Sequence, residues 1–369
     1  MAAVKNLGAN RGDLAEAVIG AAVTARFWLK PEGRQVTEAD LKKVLDSFLR
    51  SNRNTFQRDD LNVVTRITDE ITFRVGIPKV AYDFIRKREN WSLIPELFKS
   101  SVAYVNADRR LILQSNILAK NGKIDKILVD ADGTGDQTGT KADIKLSVNG
   151  KPTPQQISLK VKGGDQFAQV GGLGFEKQTE IWTNRLGIDI TRSKSEFDRI
   201  YNQINNKLRF ADRTAAATSK EAELSRKAAG VVYEYAADQL QNKFKRIDST
   251  LINRIGDFIV EGATKTDPSI ELVKLVGGSF VKARFGKKFR ENMMGAAPNL
   301  RVEFKGTTAD PTVIIYDKDL GPGKKGKLFQ VRARYSGEGV KNKEGKYYKV
   351  YIRNIVEAGD LVFQLATDK

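Results

Sequence analysis

The stretch KADIKLSVNGKPTPQQISLKVKGGDQFAQVGG, residues 141–172, determines the fold that we predict for this chain. It contains two short strands, DIKLSV and QISLKVK, and the turn-forming pair Asn149 and Gly150 follows the first of them. Antiparallel pairing across this connection brings Asp143, at the start of the first strand, and Lys160, on the second, to one end of the sheet and to the same face.

Side chains alternate between the two faces of the sheet along the second strand. Ser158 and Lys160 are two residues apart and share a face, whereas Leu159 between them points into the core. We expect the glycine-rich segment GGDQFAQVGG that follows to be a tight connection from strand to helix. Its flexible backbone also allows a close approach to a phosphate group.

The patterns that precede this stretch indicate helices and strands in alternation. Residues 13–29 have the spacing of a buried helix rich in small residues, with Glu16 in its first turn, and VTEADL supplies a second helix with an N-cap at Thr37. Residues 61–78 are typical of a β-hairpin, and KILVDAD indicates one more strand before the central stretch.

The second half of the chain changes from helix to strand. Helical patterns continue from Glu176 to about Val276, and from Leu300 onward we predict strands, including RVEFKG, TVIIYD, KLFQVRARYSG and KYYKVYIRNI. The fold class is therefore α/β or α+β, with a central mixed sheet flanked by helices. We predict three segments: a core with N-terminal helices at 1–190, a helical region at 191–280, and a β-rich basic region at 281–369 that completes the sheet or contacts nucleic acid.

The composition excludes several kinds of chemistry. The chain has no cysteine and no histidine, which removes thiolate and histidine nucleophile systems and every metal site built on those ligands. Any catalysis must use carboxylates, lysine, hydroxyls or a hard metal ion. Ligation by oxygen alone suits magnesium or manganese.

The charge of the chain favours a polyanionic partner. Lysine and arginine total 63 against 45 acidic residues, a formal net charge of +18, and nucleic acid is the leading candidate. The alternative is that the charge covers every face and serves solubility. The candidate nucleic-acid-binding residues, three in KARFGKKFR and three on strands where basic and aromatic residues interleave, are Lys287, Lys288, Arg290, Arg332, Arg334 and Arg353.

No part of the sequence is typical of a membrane or secreted protein. The first residues lack a basic region followed by an apolar one, and no run of about eighteen apolar residues occurs. We therefore expect a cytoplasmic protein, encoded by a bacterium or a phage.

The pairing of Asp143 with the triplet Ser158-Leu159-Lys160 resembles the PD-(D/E)xK nuclease superfamily. Members of that family have an aspartate that opens one strand and a D/E-x-K triplet on the next. The resemblance implies a restriction-endonuclease-like core, with Asp143 as a ligand of Mg²⁺ or Mn²⁺. It also implies that Lys160 positions and helps to deprotonate the attacking water.

The main departure from the family pattern is Ser158, which stands where the family has its second carboxylate. The resemblance implies that another acid supplies the missing charge: Glu176 or Glu180 from the following helix, or Glu16 from the N-terminal helix. Glu16 is otherwise an ordinary solvated acid near a helix start. The remaining candidates are Asp130 and Asp132, which follow KILV and also suit a polar turn, and the polar residues beyond the lysine, Gln166 and Gln169.

The sequence supports three hypotheses about function. The first is a Mg²⁺-dependent, restriction-like endonuclease acting on double-stranded DNA, with Asp143, Lys160, Ser158, Glu16 and Gln166 in the catalytic site. Cleavage of both strands would favour a homodimer. The second is a non-catalytic DNA-binding protein in which Ser158 marks a degenerate nuclease site. The third is a phage or bacterial structural protein whose charge serves assembly.

Overall fold

The structure is a computed structural model of the 369-residue chain. It describes residues 11–29, 33–51, 55–57, 60–121, 126–131, 143–160, 165–172, 174–264, 270–276, 278–306, 310–335, 338–342 and 345–366. The chain forms two compact units. The first comprises Met1–Gly163 and Ala263–Arg284, and the second comprises Gly164–Gly262 and Phe285–Lys369.

Helices occur throughout the described residues. The α-helices are α1 Arg11–Trp28, α2 Glu38–Leu49, α3 Lys79–Ile85, α4 Pro95–Ala107, α5 Arg109–Asn121, α6 Phe175–Thr179, α7 Lys194–Tyr201, α8 Arg213–Ala217, α9 Lys220–Lys245, α10 Ser249–Thr264, α11 Lys287–Ala296 and α12 Asp360–Ala366. Shorter helical segments are the 3₁₀ turns Arg88–Leu93, Thr191–Ser193 and Ala297–Asn299 and the π-helical segment Glu180–Arg185. Within these described ranges, no helix combines the length and the apolar character needed to cross a membrane.

The strands fall into three sheets. They are β1 Thr55–Gln57, β2 Asp60–Arg66, β3 Ile71–Pro78, β4 Ile127–Ala131, β5 Ile144–Val148, β6 Lys151–Lys160, β7 Asp165–Gly171, β8 Ile270–Val276, β9 Ser279–Ala283, β10 Leu300–Lys305, β11 Thr312–Asp317, β12 Lys327–Tyr335, β13 Glu338–Asn342, β14 Gly345–Lys349 and β15 Ile352–Ala358.

The first unit contains a mixed eight-stranded sheet in the order β1-β2-β3-β4-β5-β6-β8-β9. The pairs β3/β4 and β6/β8 are parallel, and the other neighbours are antiparallel. The prediction of a mixed α/β fold is therefore confirmed. The predicted hairpin at residues 61–78 is β2 and β3, and the N-cap of α2 is Thr37, whose hydroxyl accepts the backbone N–H of Asp40 at 3.2 Å.

Helix α1 covers one face of this sheet. It packs against β3 and β4, and Gly20 allows the approach, because a Cβ there would lie 2.9 Å from Phe73 Cε2 and 3.0 Å from the Ala131 Cβ. The same core includes Ile157 and Leu159 of β6. Since side chains alternate along a strand, Ser158 and Lys160 lie on the opposite face, away from α1.

The second unit contains an antiparallel five-stranded sheet in the order β10-β11-β12-β15-β7. Helix α9 packs along it, and the Tyr233 hydroxyl donates to Asn354 Oδ1 at 2.9 Å. Strands β13 and β14 form a separate pair.

Several expectations from the sequence are wrong in detail. The helical pattern was predicted to reach Val276, but residues 270–276 form β8, which pairs in parallel with β6. The glycine-rich segment after Lys160 is not a plain connection, because residues 165–171 form β7 in the second sheet. The predicted strand KYYKVYIRNI is divided between β14 and β15.

A buried ion-pair cluster joins α5 to the edge of the first sheet. The Lys282 ammonium contacts the carboxylate of Asp108 and lies 3.2 Å from Glu271 Oε2. The side chains of Asp108 and Glu271 are only 1% and 9% exposed. Asp108 Oδ1 also caps α5 by accepting the N–H groups of Arg110 and Leu111 at 2.9 and 3.0 Å.

Replacing Lys282 by methionine is expected to destabilise the protein by about 3 kcal/mol, because removing one partner leaves buried charge uncompensated. Urea denaturation followed by circular dichroism measures the change. The matched control is Lys287→Met, whose native side chain is 93% exposed and whose loss is expected to change the stability by less than about 0.5 kcal/mol. Equal stabilities of the two variants would contradict this account of the cluster.

Candidate functional site

The turn between β5 and β6 sets the register of the candidate site. Asn149 and Gly150 have φ values of +51° and +76°, as in the two-residue turns that match the twist of a hairpin. Ile144 pairs with Ile157, and the Asp143 N–H donates to the Ile157 carbonyl at 2.7 Å. Asp143 therefore lies beside the end of β6.

One oxygen of the Asp143 carboxylate accepts two hydrogen bonds and forms an ion pair with an ammonium group. Its Oδ2 accepts the backbone N–H of Leu159 and the hydroxyl of Ser158, the latter at 3.3 Å, and lies 3.7 Å from Lys160 Nζ. Lys160 Nζ in turn donates to Ser158 Oγ at 3.1 Å. The structure thus brings together the aspartate, serine and lysine that the sequence singles out.

The three side chains differ in their access to solvent. Those of Asp143 and Lys160 are 19% and 24% exposed, whereas Ser158 is fully buried. A ligand can therefore reach the carboxylate and the ammonium group. The buried serine hydroxyl contacts both of them and helps to orient them.

Sequence reasoning missed a second lysine on the same face. Lys274 of β8 is the parallel register partner of Lys160, so both side chains lie on the face away from α1. Lys274 is 4% exposed, which is unusual for lysine. The residue was missed because IELVKLV was included in a helical pattern. Its β-branched residues and short length were the available signal for a strand.

The other acids proposed for the first unit are placed differently. Asp130 of β4 pairs with Lys145, lies on the face of Ser158 and is 3.7 Å from Arg74 Nε. Glu16 is on α1, which covers the opposite face. Because α1 begins at Arg11, Glu16 is in the second turn and not in the first as predicted. Asp132 lies outside the described residues.

The remaining candidates belong to the second unit. Glu176 is exposed on α6, and Glu180 lies 3.5 Å from Lys177 and 3.8 Å from Arg185. Gln166 and Gln169 are on β7, but their side chains lie outside what the structure describes.

The side chains around Asp143 do not form a cage for a divalent cation. Over the ranges that the structure describes, no group of three or more acidic residues could hold a metal ion. The side chains in contact with the Asp143 carboxylate are one alcohol and one lysine, Ser158 and Lys160. Carboxylate oxygens are the protein ligands that Mg²⁺ normally needs, whereas ammonium groups suit a phosphate anion.

The basic residues proposed to contact nucleic acid are partly engaged within the chain. Arg290 lies 2.6 Å from Asp257, and Arg332 lies 2.9 Å from Glu357. Arg334 and Arg353 are direct partners across β12 and β15 and therefore share a face. Lys287 and Lys288 are exposed on α11.

Comparison with family models, with curated proteins and with solved structures finds no match to this chain.

Replacing Asp143 by alanine is expected to destabilise the protein by about 1–3 kcal/mol, because the N–H of Leu159 and the hydroxyl of Ser158 lose their acceptor. Thermal and urea unfolding measure the change. Asp69→Ala, in the exposed turn between β2 and β3, is the matched control and is expected to be nearly neutral. If Asp143→Ala is as stable as the control variant, the carboxylate of Asp143 does not contribute to the stability of the fold.

Proposed function

We propose that this chain is a DNA endonuclease of restriction-like type that hydrolyses phosphodiester bonds at the cluster of Asp143, Ser158 and Lys160. The observation that supports the proposal is the position of the Lys160 ammonium, on the strand next to Asp143 and 3.7 Å from its carboxylate. This is the arrangement of acid and lysine on adjacent strands that the PD-(D/E)xK resemblance requires.

In this proposal each residue of the cluster has a distinct task. Lys160 donates hydrogen bonds to a phosphate oxygen or to the attacking water. Asp143 and Ser158 hold the ammonium in place through the 3.7 and 3.1 Å contacts.

A divalent metal ion is part of the proposal only because the resemblance to PD-(D/E)xK nucleases implies one. Mg²⁺, or Mn²⁺ in its place, would stabilise the charge that develops on the phosphate. Besides Asp143, Asp130 of β4 lies on the same face of the sheet, so a second acidic ligand would be Asp130 or an acid outside the described ranges. We therefore derive no step through the metal.

The proposed substrate is double-stranded DNA, supported by the net charge of +18. Exposed basic residues of the second unit, including Lys287, Lys288 and Arg334, are the proposed phosphate contacts. Two copies of the site would be needed to cut both strands together, which favours a homodimer in the cytoplasm.

A second candidate function is supported by the serine at position 158. With an alcohol in place of the second carboxylate, the cluster would hold a phosphate without cleaving it, and the chain would be a non-catalytic DNA-binding protein. Such a protein needs no metal and binds with a steep dependence on salt.

The test is cleavage of supercoiled plasmid and linear DNA by the native protein and by Lys160→Ala, with Mg²⁺, Mn²⁺ or EDTA. The proposal predicts metal-dependent cleavage that falls by about 100-fold or more in Lys160→Ala, in keeping with the loss of a group acting in proton transfer. Lys151→Ala, at the exposed far end of the same strand, is the matched control and should cleave at the native rate.

The other outcomes separate the alternatives. If Lys160→Ala cleaves DNA at the native rate, the cluster at Asp143 is not the catalytic site. If the DNA stays intact under every condition but migrates more slowly, the result supports a non-catalytic DNA-binding protein. If the protein self-associates and has little affinity for DNA at physiological salt, the result supports a structural protein.

A further inference from the structure

The first unit contains a cavity of about 430 Å³ that no part of the proposed nuclease reaction uses. It lies between α4, the start of α5 and β9, and its size is in the range of sites for small molecules. The lining residues are Ala103, Tyr104, Ala107, Asp108, Arg109, Arg110, Ser279, Phe280, Lys282 and Arg284.

Aromatic and small side chains form the apolar part of the cavity. The rings of Tyr104 and Phe280 meet edge to face with centroids 6.1 Å apart. Ala103 and Ala107 are one turn apart on α4, and their small side chains leave room for the cavity. Burial, together with the nearby carboxylates of Asp108 and Glu271, raises the pKa of Tyr104 well above its usual value, so its hydroxyl remains protonated. Tyr104 is buried with the Lys282 ammonium 5.1 Å from its ring centroid, whereas Phe280 is partly exposed, so a flat ring can pack against Phe280.

Cations surround the apolar part and outnumber the acids. Four lining residues are basic, Arg109, Arg110, Lys282 and Arg284, and one is acidic, Asp108. Lys282 is held between Asp108 and the adjacent Glu271, so its charge is largely balanced. The arginines carry the excess positive charge of the cavity.

The arginines of the cavity are exposed to solvent, so an anion can bind to them. Arg109, Arg110 and Arg284 are exposed. Arg110 lies 3.1 Å from Glu271 through one terminal nitrogen, which fixes its guanidinium and leaves further N–H donors. Arginine forks bind phosphate oxygens in pairs.

We propose that this cavity binds a nucleoside monophosphate group, with the base against Phe280 and the phosphate at Arg109, Arg110 and Arg284. Two sources share this chemistry, a free mononucleotide and the 5′-phosphorylated end of a DNA strand. The inference stands apart from the proposed cleavage reaction, because it uses none of the residues at Asp143.

Isothermal titration calorimetry with the full chain tests the proposal, with deoxyadenosine 5′-monophosphate, deoxyadenosine and inorganic phosphate as separate probes. The nucleotide is expected to bind at least about 10-fold more tightly than either fragment, since it engages both parts of the cavity. A 5′-phosphorylated oligonucleotide, compared with the same strand lacking the phosphate, identifies which source binds more tightly.

Variants assign the binding to the cavity. The double variant Arg109→Gln with Arg284→Gln is expected to weaken nucleotide binding at least about 10-fold, the equivalent of one lost charge-assisted contact or more. Phe280→Leu should weaken nucleotide binding but leave inorganic phosphate binding unchanged. Lys99→Gln removes one exposed charge from α4 outside the cavity and should bind as the native protein does.

Thermal unfolding establishes that each variant is folded, and Lys160→Ala should keep full nucleotide affinity even where DNA cleavage is lost. Absence of nucleotide binding by the native protein at millimolar concentration would overturn the inference. Native affinity in the folded double variant would also overturn it.

Discussion

The carboxylate of Asp143 performs two tasks with one oxygen atom. It accepts the backbone N–H of Leu159, just before β5 begins and near the end of β6, and it lies 3.3 Å from the hydroxyl of Ser158 and 3.7 Å from the ammonium of Lys160. Backbone groups that lose a strand partner need another acceptor. The same hydrogen bond that joins the two strands at the open end of the hairpin therefore fixes the polar cluster there.

Strand β6 connects this cluster to the hydrophobic core. Ile157 and Leu159 pack on the face that α1 covers, and Ser158 and Lys160 alternate with them on the other face. The register of the core residues consequently sets the position of the polar ones. A shift of one residue would reverse both faces, so the packing of α1 specifies the site as well as the fold.

The central hairpin could be predicted because its signals are local. The pair Asn149 and Gly150, alternation along both strands, and an aspartate at a strand start all lie within the same short stretch. Lys274 could not be placed in this way. Its strand joins the sheet by parallel pairing with β6 after the chain has passed through the second unit, and a short apolar run does not distinguish strand from helix.

The nucleotide cavity was missed for a related reason. It combines α4 and the start of α5 with β9, and these segments are far apart in the sequence although adjacent in the fold. Each part has an ordinary local explanation, since Asp108 is a helix cap and Lys282 is on a strand. Only their packing brings the arginines and the two aromatic rings together.

In the proposed nuclease, the negative charge of Asp143 serves catalysis in addition to structure. The most direct test is the rate of metal-dependent DNA cleavage by Asp143→Asn, measured together with its thermal unfolding. The amide oxygen can still accept the N–H of Leu159, so the account predicts a thermal midpoint within a few degrees of the native one and cleavage reduced by about 100-fold or more. An Asp143→Asn protein that cleaves DNA at the native rate would contradict the account.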